Sequence, residues 1–97
     1  MNISRPSPST LAAALEISWR LTSEGEREQL RTLSLDDART KMHLMLGAKI
    51  RAELNLWSAD AWDLFEDINN RMPDVLALSA DSASDALIAA LWQRARE

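Results

Sequence analysis

The chain has 97 residues, of which 46% are hydrophobic and 27% charged, and it carries a net charge of −4 with no cysteine. These values predict one globular domain of ordinary soluble composition. They exclude a disulfide framework and a thiolate metal site, and the net negative charge opposes binding to nucleic acid or anionic lipid. Since no run approaches the roughly 18 apolar residues of a membrane span, we expect a cytoplasmic protein with no nucleic-acid or membrane partner.

Residues 1–9, MNISRPSPS, are predicted to form a disordered tail, because they hold two prolines and three serines and show no periodicity. Residues 10–97 are predicted to form a single helical domain, since the apolar residues there repeat with a helical period. The first helix is expected over about residues 10–22. The second is expected over about residues 24–33, behind a Ser-x-x-Glu capping box.

The third predicted helix, residues 35–54, is hydrophobic on nearly every side, which indicates a central position. A fourth helix is expected to begin after Ser58 and to end by Pro73. A loop covers residues 71–80, and a fifth helix begins near Asp81. The predicted fold is therefore all-α: a compact single-domain bundle of about five helices with the helix at 35–54 in its centre.

Three residues of the third predicted helix, His43, Gly47 and Arg51, are four positions apart and share one face. Glycine inside a helix costs about 1 kcal/mol relative to alanine, so the close approach of another group is expected at Gly47. A tryptophan ring, such as that of Trp57, is one candidate. In the functional interpretation these four residues line a ligand pocket in which Arg51 binds a carboxylate or phosphate.

In the structural interpretation, which we favour, His43 donates to a core carbonyl and Arg51 pairs with an acid of a later helix, Asp81 or Asp85. A single histidine without cysteine makes a poor metal site. No pattern holds a nucleophile beside a base, and no glycine-rich phosphate loop is present. We therefore expect no metal, no cofactor and no enzymatic activity.

Two motifs carry a resemblance to a known family. Residues 43–57 read H-x-x-L-G-x-x-I-R-x-x-L-x-L-W, and residues 81–92 read D-x-A-S-x-x-L-I-x-A-L-W. Together they resemble a family of small bacterial all-helical proteins of uncharacterised function, over about residues 28–95. An asparagine usually follows the arginine of the first motif in that family, whereas Ala52 stands here, which puts in doubt any site that needs that asparagine. The resemblance implies a helical fold and a bacterial cytosolic setting, and it implies no activity.

Charge is unevenly placed along the chain. Residues 27–51 hold six basic and three acidic residues, whereas residues 60–85 hold seven acidic residues and one basic residue. Either the two halves pack together, or the acidic half forms a surface for a basic protein partner. Our leading hypothesis is a non-enzymatic interaction module of the accessory, immunity or inhibitor type that uses this surface on the fourth and fifth predicted helices. The candidate partner-binding residues are Asp60, Trp62, Asp63, Glu66 and Asp67.

Three alternatives stay open from the sequence. The first is a small-ligand-binding or regulatory domain built on the pocket around His43 and Arg51. The second concerns Trp57 and Trp62, which either form an exposed binding hot spot or plug the junction of two helices. The third concerns the alanine-rich last helix, which either pairs with a second copy in a homodimer or packs inside the monomer.

Overall fold

The computed structural model describes residues 7–97. This part of the chain contains six α-helices and one short 3-10 turn, joined by loops. The helices are α1 (Leu11–Leu21), α2 (Glu24–Thr32), α3 (Leu35–Met42), α4 (Leu46–Glu53), α5 (Trp62–Arg71) and α6 (Ala80–Ala95), and the 3-10 turn (Ala59–Ala61) precedes α5. They form a compact bundle with a radius of gyration of 12.5 Å, and no strand occurs in the described residues. The all-α prediction is confirmed.

Hydroxyl side chains determine where four of these helices begin. At the starts of α1, α2, α3 and α6, a serine or threonine oxygen accepts a hydrogen bond from the backbone N–H three residues later. Such a bond satisfies one of the N–H groups that a helix leaves unpaired at its first turn. The predicted capping box of Ser23 and Glu26 is confirmed, with both of its reciprocal bonds present.

The prediction of a single helix over residues 35–54 is wrong, because the helix is interrupted at residues 43–45, which separate α3 from α4. The His43 carbonyl would accept from the N–H of Gly47 in a continuous helix. Here it accepts from Nη2 of Arg51 at 3.4 Å, and the His43 ring pairs with Asp85 on α6. Two polar contacts from outside the segment, one to the His43 carbonyl and one to its ring, thus accompany the break.

The central element is α6, not the segment at 35–54. Helix α6 contacts each of the other five α-helices, and eight of its sixteen residues are buried. Leu87, Ile88 and Leu91 are fully buried, and Ala83 and Ala86 are almost completely so. The small side chains of α6 thus allow its neighbours to pack closely against it within the monomer.

The apolar residues that made segment 35–54 look central are divided between core and surface. Leu46, Ile50 and Leu54 lie in the core, whereas Leu44 and Met45 are 76% and 73% exposed. The all-round apolar pattern therefore reflects an exposed apolar side as well as a buried one.

The predicted tail, residues 1–9, lies mostly outside the described residues, but Ser7 donates from its hydroxyl to the Asn55 carbonyl at 3.0 Å. The loop between α5 and α6 is held to the core by Asn69, whose side chain bonds both the N–H and the carbonyl of the buried Ala77. Within residues 7–97, none of the helices has the length and hydropathy needed to cross a membrane.

Candidate functional site

The row of His43, Gly47 and Arg51 lies against the first turns of α6. The Arg51 side chain is 9% exposed, and its Nη1 donates to the Ser84 hydroxyl at 2.9 Å. Its Nε lies 3.6 Å from a carboxylate oxygen of Asp81. Of the two acids predicted as partners of Arg51, Asp81 takes that role, and Asp85 instead pairs with Nδ1 of His43 at 2.9 Å. The predicted bond from His43 to a core carbonyl is therefore wrong.

Gly47 makes room for the Arg51 guanidinium rather than for a tryptophan ring. A Cβ placed on Gly47 would lie 2.9 Å from Nη1 of Arg51, closer than real Cβ contacts allow. Trp57, the fourth residue of the predicted pocket, is largely exposed and forms no hydrogen bond with any described residue. The donors of Arg51 are directed at internal acceptors, which favours a role in joining α4 to α6.

Of the five candidate partner-binding residues, Asp67 has an internal role. One of its carboxylate oxygens accepts from the N–H of Leu11 at 2.7 Å, and the carboxylate also pairs with Arg71 at 3.0 Å. The N–H of Leu11 holds the pKa of the Asp67 carboxyl below its usual value, with a further contribution from Arg71. Asp67 thereby ties α5 to the start of α1.

We expect Asp67→Asn to lower the melting temperature by a few degrees at pH 6. Because the folded-state pKa of Asp67 lies below its unfolded value, its ionisation contributes stability above about pH 4 that is lost as the pH falls through the folded pKa. The difference between wild type and variant should therefore shrink at lower pH in thermal melts followed by circular dichroism. Asp63→Asn is the control and should change little at either pH.

The other four candidate residues lie on the surface. Asp60, Asp63 and Glu66 are exposed and form no ion pair within the described part of the chain. Trp62 is 56% exposed. The edge of its ring meets Phe65 at a centroid distance of 5.6 Å and an interplanar angle of 70°, which fixes its orientation from one side.

Trp57 lies three residues before Asp60 and therefore within about 11 Å of it along the backbone. Trp57 was predicted to line the pocket around Arg51, but it lies close along the chain to the acidic residues and is exposed as they are. We refer to Trp57, Asp60, Trp62, Asp63 and Glu66 as the acidic tryptophan surface. Exposure of both rings favours the hot-spot interpretation of the sequence over the plug between helices.

A cleft of about 860 Å³ on another side of the molecule was not indicated by the sequence. Apolar residues of α1 and α6 line it, together with Arg39, Arg71 and Arg94. Two of these arginines are already ion-paired, Arg71 with Asp67 and Arg94 with Glu16. Asp74 and Glu97 also line the cleft, so basic and acidic side chains both surround it and the lining does not select for an anionic or a cationic ligand.

The described residues contain no group of three histidine, cysteine or acidic side chains placed to hold a metal ion. No family model, curated protein or solved structure matches this chain. The family resemblance of the two motifs stays a prediction, and a functional assignment depends on the chemistry of the surface itself.

Proposed function

We propose that this chain is a non-enzymatic protein-interaction module, of the accessory, immunity or inhibitor type, that binds a basic partner protein through the acidic tryptophan surface. The observation that carries the proposal is the exposure of Trp57 and Trp62, at 67% and 56%, within the same short segment, residues 57–66, as three exposed carboxylates. Tryptophan is enriched among the residues that dominate binding energy at interfaces. Carboxylates around such residues increase the rate of encounter with a basic surface and select against acidic partners.

The acidic residues differ in whether they have internal partners, and this difference supports the same proposal. Asp67 stabilises the fold through Leu11 and Arg71. Asp60, Asp63 and Glu66 have no ion-pair partner in residues 7–97, so charge reversal there removes no internal ion pair. The overall net charge of −4 favours the same class of partner.

The test is charge reversal of two acids in one variant, Asp63→Lys with Glu66→Lys. The matched control is Asp36→Lys with Asp37→Lys, which makes the same charge change at exposed acids on α3. Tagged wild type and both variants are used to capture partners from nuclease-treated lysate of the source organism, followed by mass spectrometry and titration of the captured protein.

We expect the wild type and the α3 control to retain one stoichiometric protein partner. The α5 variant should bind that partner at least about tenfold more weakly, with its melting temperature within a few degrees of wild type. Equal retention by all three proteins would exclude this surface as the binding site. Loss of binding in both variants would show that net charge, and not the acidic tryptophan surface, controls the association.

A further inference from the structure

The two tryptophans outside the acidic tryptophan surface are each covered by arginine. The guanidinium of Arg27 lies 4.1 Å from the ring centroid of Trp19, and that of Arg94 lies 4.7 Å from it. The guanidinium of Arg96 lies 3.9 Å from the ring centroid of Trp92. These distances fall well within the range of a cation–π interaction, which is strongest for tryptophan.

Each covering arginine also donates to an oxygen while it lies over the ring. Arg27 donates to the Trp19 carbonyl at 2.7 Å, Arg94 to the Glu16 carboxylate at 2.8 Å, and Arg96 to the Leu33 carbonyl at 2.6 Å. A planar guanidinium can stack by its face while its N–H groups point outward to acceptors. The fold therefore repeats one arrangement, in which a tryptophan face and an oxygen acceptor hold the same arginine.

Trp57 and Trp62 provide the same two elements without the arginine. Within residues 7–97, no arginine or lysine lies over either ring. Two oxygen acceptors are close to Trp62 in the sequence. Asp63 follows Trp62 directly, and Glu66 lies four residues after Trp62, on the same side of α5 as Trp62. Phe65 already orients the Trp62 ring, so little side-chain freedom is lost on stacking.

We infer that the partner presents arginine side chains to the acidic tryptophan surface. A guanidinium stacks on the Trp62 ring and donates its N–H groups to the carboxylate of Glu66 or Asp63, and Trp57 offers a second ring. Lysine fits this arrangement less well, because a compact, strongly hydrated ammonium has neither the planar face nor the fork of donors. The inference rests on the proposed function and specifies its partner by chemistry.

The probes are two blocked peptides of alternating glycine and basic residues, one with four arginines and the other with four lysines. Each is titrated into isotope-labelled full-length protein, and binding is read from the backbone N–H and tryptophan indole N–H signals. We expect the arginine peptide to bind about two- to fivefold more tightly than the lysine peptide. Its largest indole shifts should be those of Trp62 and Trp57.

Trp62→Leu should reduce this preference for arginine to nearly equal binding of the two peptides. Leu44→Ala, which truncates another exposed apolar residue, should leave the preference unchanged. A well-dispersed spectrum establishes that each variant is folded. Equal affinity of the two peptides for wild type, an unchanged preference in Trp62→Leu, or no shifts with either peptide would each overturn the inference. The charge-reversal experiment judges the proposed function separately, because it measures the natural partner.

Discussion

Ile88→Ala is expected to lower the free energy of unfolding by about 3 kcal/mol, within the range typical of large-to-small substitutions in a packed core. Ile88 is fully buried on α6, the helix that contacts every other α-helix. The cost combines the lost transfer free energy of the removed carbons with the cavity that they leave, because the surrounding helices relax only in part. A domain of this kind is usually stable by 5–15 kcal/mol in total, so about 3 kcal/mol is a large fraction.

Urea unfolding followed by tryptophan fluorescence measures this loss, with Leu78→Ala as the control. Leu78 is 58% exposed in the loop before α6, and its truncation should change the free energy of unfolding by less than about 0.5 kcal/mol. Equal losses in the two variants would contradict the central position of α6. An unchanged slope against urea would show that Ile88→Ala acts on stability and not on the extent of unfolding.

The all-α fold was predictable from the sequence because its signals are local. A serine at a helix start and a helical repeat of apolar residues both act within a few positions, as at Ser23 and Glu26. The break between α3 and α4 was not predictable in this way. Its polar contacts come from Arg51 and Asp85, which are eight and 42 residues away from His43.

The central helix was misassigned for a related reason. Helix α6 is rich in alanine, and its small inner side chains were compatible either with a homodimer contact or with packing inside the monomer, so they did not indicate a central position. Burial instead follows from size, since Ala83, Ser84 and Ala86 permit close approach of several helices. Segment 35–54 looked central in part through Leu44 and Met45, which are exposed.

The candidate site was predictable in part. The acidic residues of α5 were identifiable by charge, but the internal role of Asp67 depends on the N–H of Leu11, 56 residues away. Ser84, which accepts from Arg51, lies three residues after Asp81 on one face of α6. That spacing is a signal that could have identified Ser84 as part of the Arg51 contact.

The final prediction concerns Gly47, where the sign of a mutational effect should depend on Arg51. Arg51→Ala is expected to cost about 2–4 kcal/mol, because it leaves the His43 carbonyl without its donor and removes a buried, hydrogen-bonded side chain. Gly47→Ala in the wild type places a methyl group 2.9 Å from Nη1 of Arg51. The guanidinium can retreat only by weakening its bond to Ser84. Destabilisation by about 1 kcal/mol is expected.

In the Arg51→Ala background, the same Gly47→Ala change should stabilise the protein by up to about 1 kcal/mol. The methyl group then meets no guanidinium, the backbone of Gly47 has no positive φ, and alanine is the better helix former. A double-mutant cycle from urea unfolding isolates the coupling, expected at about 1–2 kcal/mol. If the effects of the two substitutions on the free energy of unfolding are additive, Gly47 is not required to make space for the Arg51 side chain. A reversal of sign would establish that the glycine and the arginine act together to join α4 to α6.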